Sequence, residues 1–340
     1  MKKKRSAKVT LDEIAAAAGV SAITVSRALR KPEVVSPALR ERIRIVVEDL
    51  GYIPDPAASA LASSRSDVIG VLIPSVTNNV FADVLRGIYS VLEAERFRLQ
   101  LANSRYSTLE EERLLRIFLS QRPAGLIVSG IDQSEASRKL LFRAECPVVQ
   151  IMETGPDPID MMVGFSHFDG ARAAVSHLVD RGYRRIAFLG ARMDPRTQRR
   201  LKGYETVLRA HGMLDERLIL CTPRASTVQL GCELFADLCD RAPDVDAVFC
   251  NNDDLAIGVL FEAQRRRIAV PQSLGICGFN DLETVAVTNP PITSIRTFRE
   301  DMGRRAIRMV LAGITGDPVE EPVVDLGFEL IARESTARTG

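Results

Sequence analysis

The sequence lacks the features of a membrane, secreted or zinc-binding protein. None of its 340 residues belongs to an apolar run of the roughly 18 to 20 residues that a membrane-spanning helix needs. The stretch from Val9 to Gly19 carries Asp12 and Glu13 where a signal peptide would be apolar. The six cysteines form no CxxC pair, which favours reduced thiols over disulfides or a zinc site. We therefore expect a cytoplasmic protein that does not contact a membrane.

The sequence also lacks the common signatures of catalysis. Its three histidines have no cysteine or carboxylate at metal-ligand spacing, and no GxSxG, Walker loop or GxGxxG is present. The run Asn251-Asn252-Asp253-Asp254 could suggest a site for a hard cation, but the N-terminal cap of a helix explains these residues more simply. We expect no catalytic residues, no metal and no cofactor.

The length and the charge distribution suggest two or three domains, one of them basic. A chain of 340 residues that is 46% hydrophobic and 26% charged is typical of soluble globular proteins. The net charge of +1 hides an asymmetry. Residues 1–62 hold 11 Lys and Arg against 7 Asp and Glu, whereas residues 63–340 hold 34 against 37. The basic excess therefore lies at the N-terminal end, as expected of a module that binds a polyanion.

The first fifty residues predict a helix-turn-helix. Thr10-Leu11-Asp12-Glu13 has the pattern of a capping box, and the helix that it begins ends at Gly19. Ser21 can cap a second helix from Ala22 to about Leu29, and Ser36-Pro37 can begin a third. Helical spacing predicts these inward-facing side chains in the first two helices: Ile14, Ala15, Val20, Val25 and Leu29. The motif commonly binds DNA, but small helical cores of this kind also occur in domains that do not.

A short segment of small residues follows the third helix. Gly51-Tyr52-Ile53-Pro54 ends that helix, and Asp55-Pro56 has the pattern of an N-cap followed by proline at the first helical position. Residues 57–62 are then predicted to form a short helix whose one large apolar side chain is Leu61. Because six residues do not form a stable helix alone, this segment needs a partner or a nucleic-acid groove. Leu61 by itself could equally be a core leucine beneath the linker.

The motifs VTLDEIAAAAGVS, TVSRAL and LGYIPDPAASALAS resemble the DNA-binding region of the LacI family of bacterial repressors. The resemblance implies a homodimer on double-stranded operator DNA, with the second helix in the major groove. It also implies that two hinge helices pair in the minor groove, where a leucine matching Leu61 wedges into a base step. The residues that match DNA-contact positions are Thr10, Ser21, Ala22, Ile23, Thr24, Ser26, Arg27, Tyr52, Asp55, Ala58 and Leu61.

The matched positions imply different kinds of DNA contact. Ala22 and Ile23 match positions that select the sequence, yet neither has a hydrogen-bonding group, so they can read only thymine methyls or shape. Arg27 matches a base-reading position, where arginine prefers guanine. Thr24 and Ser26 match phosphate contacts, which orient without specifying sequence. Position 55 is an Asp where many relatives carry Asn. The resemblance implies that the charge of this Asp lies beside the DNA backbone.

From residue 67 onward, short apolar strands alternate with amphipathic helices. This alternation predicts two doubly wound parallel sheets with ligands at the carboxyl ends of their strands. This region resembles the effector-binding core of the LacI family, which is similar to type I periplasmic sugar-binding proteins. The resemblance implies the following division: 1–54 helix-turn-helix domain; 55–66 hinge helix and linker; 67–340 effector-binding and dimerisation core, with lobe 1 at about 67–164 and 295–325 and lobe 2 at about 165–294 and 326–340. The chain end has no leucine heptad, which favours a dimer over a tetramer.

Polar side chains follow several of the predicted strands and point to a cleft between the lobes. The resemblance matches Arg200, Asn252 and Asn280 to the principal polar ligand contacts of the family. The full set of expected effector-binding residues is Ser75, Asn79, Phe81, Phe165, Arg196, Arg200, Asn252, Asn280 and Arg299. An isolated arginine in this set could instead be a solvated surface charge.

The charges in this set favour an anionic effector. Arg196 and Arg200 are four residues apart and share a helix face, and Arg299 arrives from another segment. Position 280 is Asn where many relatives that bind neutral sugars carry Asp, and converging arginines suit a carboxylate or phosphate. The segments LGARMDPRT and KGYE most resemble gluconate-utilisation repressors. A small sugar acid, gluconate or a relative, is therefore the expected effector. A neutral sugar, or a solute-binding protein without a DNA role, is the alternative.

Overall fold

The computed structural model describes residues 9–30, 32–52 and 66–338. The chain divides into two compact units, Met1–Ser66 and Asp67–Gly340. The expected hinge residues Asp55, Ala58 and Leu61 lie outside the described residues. No helix within the described ranges is long and apolar enough to cross a membrane.

The helices of the N-terminal unit are α1 (Leu11–Ala18), α2 (Ala22–Arg30) and α3 (Pro37–Asp49). The Thr10 hydroxyl accepts from the backbone N–H of Glu13 at 3.3 Å, and the Glu13 carboxylate accepts from the N–H of Thr10 at 2.7 Å. Gly19 ends α1 with a φ of 62°, a left-handed conformation that glycine adopts at little cost. At the start of α2, the Ser21 hydroxyl accepts from the N–H of Thr24 at 3.2 Å. The predicted capping box and helix-turn-helix are therefore confirmed.

A small apolar core holds these three helices together. Ile14 and Val25 are fully buried, and Val20 is half-buried. The prediction that Leu29 faces inward is wrong, since it is 37% exposed and Ala28 is buried instead. The reason is that Leu29 lies in the last turn of α2, where it lines a groove between α2 and α3 instead of entering the core.

The second unit contains two sheets of six strands each. Its strands are β1 (Val68–Ile73), β2 (Arg98–Asn103), β3 (Gly125–Ser129), β4 (Val148–Ile151), β5 (Met161–Gly164), β6 (Ile186–Ala191), β7 (Ile219–Thr222), β8 (Ala247–Cys250), β9 (Gly275–Asn280), β10 (Thr293–Thr297), β11 (Val323–Asp325) and β12 (Phe328–Ile331). The first sheet has the order β11-β5-β4-β3-β1-β2 and is parallel throughout. The second has the order β12-β10-β9-β8-β6-β7, and β12 alone of its described strands is antiparallel to its neighbour.

Helices connect the strands and cover the sheets, so that each sheet forms the centre of one lobe. The helices are α4 (Asn79–Leu92), α5 (Thr108–Ser120), α6 (Glu135–Phe142), α7 (His167–Asp180), α8 (Pro195–Ala210), α9 (Val228–Arg241), α10 (Asp253–Arg265), α11 (Glu283–Ala286) and α12 (Arg299–Thr315). In the first lobe α12 packs against α4, and in the second α7 packs against α8. The inner strands β1, β3, β4, β5, β6, β8 and β9 are almost entirely buried, as sheets covered on both faces require, whereas the edge strands β2, β7, β11 and β12 are partly exposed. The predicted fold class is confirmed.

The chain passes between the two lobes three times, after β5, after β10 and after β11. The second passage comes later than expected from the sequence. Strand β10 pairs with β9 and β12 through Thr297, so residues 295–297 belong to the second lobe rather than the first. The main-chain hydrogen bonds of the ladder hold this segment in the second sheet, and the chain returns to the first lobe at α12.

Candidate functional site

Helix α2 presents a mixed polar and apolar face in the N-terminal unit. The expected DNA-contact side chains on this helix are exposed (Ile23 and Arg27) or half-buried (Ala22, Thr24 and Ser26). Ile23 is 66% exposed, although burial of a large apolar side chain is favourable. The Ser21 hydroxyl forms a hydrogen bond of 2.9 Å with the Thr24 hydroxyl, which fixes both at the start of the helix. An exposed isoleucine beside an exposed arginine suits a surface that reads a groove through methyl and guanidinium contacts.

Two further expected contacts lie outside α2. Thr10 is exposed at the start of α1, where its hydroxyl and backbone take part in the capping box. Tyr52, just after α3, is half-buried and packs against the apolar core of this unit. Positions 55, 58 and 61 fall outside the described residues, so their roles stay predictions.

In the two-lobed unit, loops from both lobes surround a cavity at the carboxyl ends of the strands. Five of the nine expected effector residues line it: Phe81, Arg196, Arg200, Asn252 and Asn280. The sequence reasoning missed other lining residues, among them Tyr106, Asp194 and Asp254. Four residues of the lining have a positive φ, at 60° for Tyr106, 82° for Met152, 69° for Arg192 and 114° for Asn280. Such conformations cost energy in residues other than glycine, and they are typical of functional sites.

Arg200 is a buried cation without an acidic partner among the described residues. Its Nε and Nη2 donate to Nδ1 of His167 at 3.2 and 3.0 Å, and Nη1 donates to the carbonyl of Asn251. The guanidinium also stacks on the Phe279 ring, 3.8 Å from its centroid. Burial lowers the pKa of Arg200 to about 10, although the more distant carboxylates of Asp194, Asp253 and Glu153 oppose this shift. The side chain nevertheless remains charged at neutral pH.

The His167 ring fixes the position of Arg200 by serving as a neutral acceptor. Its Nε2 lies 2.8 Å from the carbonyl of Met152, which can only accept a hydrogen bond. The proton therefore resides on Nε2, which leaves Nδ1 free to accept from Arg200. Burial, reinforced by the Arg200 charge, lowers the pKa of His167 well below its ordinary value. The ring thus stays neutral and offers Arg200 no compensating negative charge.

Arg196 is in a different electrostatic state. Its Nη2 forms a salt bridge of 3.0 Å with Asp194, and its guanidinium lies 5.7 Å from the Phe81 ring centroid and 5.9 Å from that of Tyr106. Burial raises the pKa of Asp194, but the attraction of Arg196 and a hydrogen bond from the N–H of Thr197 outweigh it and bring the pKa to about 2. Asp194 therefore stays ionised and balances the Arg196 charge.

Two asparagines supply neutral polar groups. The Asn252 amide oxygen caps α10 by accepting from the N–H of Leu255 at 3.2 Å, and it also accepts from the Ser226 hydroxyl at 2.8 Å. No described residue accepts a hydrogen bond from its Nδ2. The Asn280 side chain is buried at the end of β9, and within the described ranges its amide has no hydrogen-bond partner. Both amides can therefore bind hydroxyl groups in the cavity.

Comparisons with known proteins agree with this architecture. Residues 10–55 match the family described as bacterial regulatory proteins, lacI family, and residues 175–336 match the periplasmic binding protein-like domain. The HTH-type transcriptional regulator GntR of Pseudomonas aeruginosa is 43% identical over 96% of this chain and 95% of its own length. The chain belongs to the LacI family. The GntR regulator of Escherichia coli K12 is 40% identical over 97% of this chain and 98% of its own length.

A solved LacI-family regulator from Silicibacter pomeroyi superposes on this LacI-family chain with a TM-score of 0.92, at 34% identity, covering 97% of this chain and 100% of that one. The protein is therefore a DNA-binding transcriptional regulator and not an enzyme. LacI-family regulators bind operator DNA and small-molecule effectors, and they form dimers.

Three expected effector residues of this LacI-family regulator lie outside the cavity lining. The Ser75 hydroxyl accepts from the N–H groups of Thr77 and Asn78 at 3.3 and 3.2 Å, so it stabilises a turn. Asn79 is exposed, and its neighbour Asn78 lines the cavity in its place. Phe165 is fully buried, with its ring centroid 4.3 Å from that of His167. Phe165 therefore supports the position of the His167 ring from behind the cavity.

Arg299 requires a correction of another kind. Its Nη2 and Nε bind Asp83 at 2.8 and 2.9 Å, and Nη1 donates to the Asn280 carbonyl and to the Thr297 hydroxyl. The guanidinium is buried and does not line the cavity. Arg299 thus holds the start of α12 to α4 and to the end of β9, with its charge paired with Asp83 instead of directed into the cavity, and its role as a ligand contact stays a prediction. The pairing with Asp83 spans 216 positions, which the sequence alone does not reveal.

Proposed function

We propose that this LacI-family regulator binds a near-palindromic operator as a homodimer and that a small sugar acid in the interlobe cleft modulates its operator binding. Gluconate or a near relative is the proposed effector, and the cytoplasm, where such metabolites and the operator meet, is the proposed location. The segments quoted above as similar to gluconate-utilisation repressors lie on β6 and α8, beside the cavity. These segments and the chemistry of the cavity support the proposal together.

The buried and unpaired Arg200 carries this proposal. Removing a cation from water is costly unless a hydrogen-bonded anion accompanies it. Since no described carboxylate lies within salt-bridge distance of Arg200, a ligand carboxylate can supply the missing partner through charge-assisted hydrogen bonds. The amides of Asn252 and Asn280 line the same cavity and suit the hydroxyl groups of the ligand. A carboxylate joined to a polyhydroxy chain satisfies both requirements, whereas a neutral sugar satisfies only the second.

For the N-terminal unit, we propose that α2 enters the major groove of each half-site. Arg27 would read a base edge, and Ile23 together with Ala22 would contact thymine methyls or follow groove shape. Thr24 and Ser26 would contact phosphates. Residues 55–66 would connect this unit to the two-lobed core and carry Leu61 to the minor groove.

A direct test compares gluconate with glucitol, the neutral polyol of the same carbon number. Calorimetric titration into the full-length protein should give tighter binding of gluconate, and a band-shift assay on operator DNA should respond to gluconate at concentrations where glucitol has no effect. The affinity for DNA should also fall steeply with salt, because much of it comes from phosphate contacts. If the two ligands bound equally well, the anionic effector would be refuted and a neutral sugar would take its place.

A further inference from the structure

One carboxylate in the interlobe cavity has no partner within the described part of the chain. Asp254 is the second residue of α10 and lines the same cavity as Arg200 and Asn280. Its side chain is largely shielded from solvent, and no described residue donates a hydrogen bond to it or lies within salt-bridge distance. Burial raises the pKa of Asp254, which means that the ionised form is left without full solvation. A ligand that donates hydrogen bonds would remove this penalty.

The neighbouring carboxylates are already committed to other groups. Asp253 accepts from the Ser294 hydroxyl at 2.6 Å and from the N–H of Leu282 at 2.7 Å, so it ties α10 to the loop after β9. Asp194 is held by its salt bridge to Arg196. Asp254 therefore differs from both in having its acceptor oxygens available to the cavity. The N-terminal end of α10 favours the ionised form of this side chain through the helix dipole.

We propose that Asp254 is a specificity-determining residue that accepts hydrogen bonds from hydroxyl groups of the bound sugar acid. This inference rests on the proposed function and adds a hydroxyl-reading group to it. An ionised carboxylate only accepts, and each sugar hydroxyl can donate, so the pairing is chemically matched. The chain has an amide at position 280 at the end of β9, and the first turn of α10 supplies the carboxylate after the adjacent strand β8. Arg200 then binds the acid end of the ligand and Asp254 the hydroxyl end.

Whether Asp254→Asn weakens or tightens gluconate binding distinguishes a hydrogen bond to the ligand hydroxyls from a position near the ligand carboxylate. If Asp254 accepts ligand hydroxyls, replacing it by Asn weakens the binding of gluconate. If Asp254 lies near the ligand carboxylate, the two negative charges repel and the same replacement tightens binding. Asn has almost the same shape as Asp, so the comparison isolates the charge and the acceptor capacity.

The experiment titrates gluconate and a set of gluconates that each lack one hydroxyl into full-length wild-type, Asp254→Asn and Glu262→Gln proteins. Glu262 is the matched control, because it lies two turns further along α10 and pairs with Arg265 and Arg266 outside the cavity. Asp254→Asn should weaken gluconate by about 10- to 150-fold, the range for losing a hydrogen bond to a charged group. Glu262→Gln should leave the affinity unchanged.

The deoxy analogues identify the contact itself. In wild type, one of them should bind about 10-fold or more below gluconate, and in Asp254→Asn the same analogue should lose little further, as interacting partners do in a double-mutant cycle. Operator binding and the melting temperature of Asp254→Asn establish that the variant is folded. Tighter binding of gluconate by the variant, or an undiminished penalty for every deoxy analogue, would overturn the role of Asp254 while gluconate binding to wild type leaves the proposed function standing. A wild-type protein that ignores gluconate would overturn both.

Discussion

Replacing Arg200 by Gln is the substitution that tests the cleft most directly. The change removes a buried positive charge and keeps a side-chain NH₂ group that can still donate hydrogen bonds. In wild type the guanidinium binds His167 Nδ1 through two nitrogens and the Asn251 carbonyl through the third. None of these partners is negatively charged, so the charge itself is available to a ligand. We therefore expect the loss to concern anionic ligands far more than neutral ones.

The expected magnitude follows from the kind of contact that is lost. A hydrogen bond to a charged group contributes about 1.5–3 kcal/mol, which corresponds to roughly 10- to 150-fold in affinity. Arg200→Gln should weaken gluconate by this amount and glucitol by much less. Without ligand, the variant loses hydrogen bonds of about 1 kcal/mol each. This loss is offset in part, because the variant no longer has to bury a positive charge. The cost of that burial in wild type is reflected in the pKa of Arg200, which is lowered to about 10.

The assay is calorimetric titration of both ligands into wild-type, Arg200→Gln and Arg299→Gln proteins, with melting temperatures measured in parallel. Arg299 is the informative comparison, because its guanidinium is paired with Asp83 outside the cavity lining. Arg299→Gln should lower the melting temperature and leave the ratio of gluconate to glucitol affinity unchanged. If Arg299→Gln abolished that ratio and Arg200→Gln did not, the assignment of the ligand carboxylate to Arg200 would be refuted.

Three further predictions concern DNA reading, lobe closure and pH. Arg27→Ala should cost about 1–3 kcal/mol on the cognate operator and relax one base position per half-site, and unchanged base preferences in a site-selection experiment would show that Arg27 contacts only phosphate. The bidentate pair of Arg199 with Asp132, at 2.6 and 2.8 Å, joins the two lobes. Asp132→Arg should therefore weaken gluconate binding. The double variant Asp132→Arg with Arg199→Asp should recover part of that affinity, and a double variant that binds gluconate as weakly as the single variant would exclude a direct pair. Burial raises the folded-state pKa of Glu153 to about 7 from its ordinary 4.5, so the stability that this group contributes is full below its ordinary pKa and is lost as pH rises through about 7. Glu153→Gln should consequently gain melting temperature relative to wild type at about pH 8 and not near pH 4.5, and a difference independent of pH would contradict this.

The alternation of strands and helices could be predicted because each buried strand is a continuous apolar run. Val68–Ile73 and Gly125–Ser129 are examples whose bounds the sequence indicates closely. The strand Met161–Gly164 could not be recognised from the sequence, because its two methionines lack the β-branching that is typical of strands. The helix Glu135–Phe142, whose buried positions are Ser137 and Leu141, could not be recognised either, because two inward side chains define no amphipathic face.

The cavity could be predicted only where a residue lies within a recognisable motif. Arg200, Asn252 and Asn280 satisfy that condition, and all three line the cavity. Tyr106 lies in a loop and lines the cavity, and its own φ is 60°. This backbone conformation cannot be predicted for a tyrosine from the sequence. The pairing of Arg299 could not be predicted, because the carboxylate that binds it lies on a different helix far along the chain. Pairings of this kind depend on tertiary packing and have no local signal.

Helix α8 links the chemistry of the cavity to the arrangement of the lobes. Arg196 forms a salt bridge with Asp194 of its own loop and Arg199 forms one with Asp132 of the other lobe, whereas no described carboxylate lies within salt-bridge distance of Arg200. A bound anion that pairs with Arg200 therefore acts on the same helix turn that carries the interlobe salt bridge. A ligand shifts a conformational equilibrium only by its difference in affinity for the two states. Asp132 contacts Arg199 from the first lobe, and Phe81 and Tyr106 of that lobe line the same cavity as Arg200. We therefore expect an anion that contacts both lobes to favour the arrangement in which Arg199 and Asp132 are paired, so that the effector can change operator binding without touching the DNA.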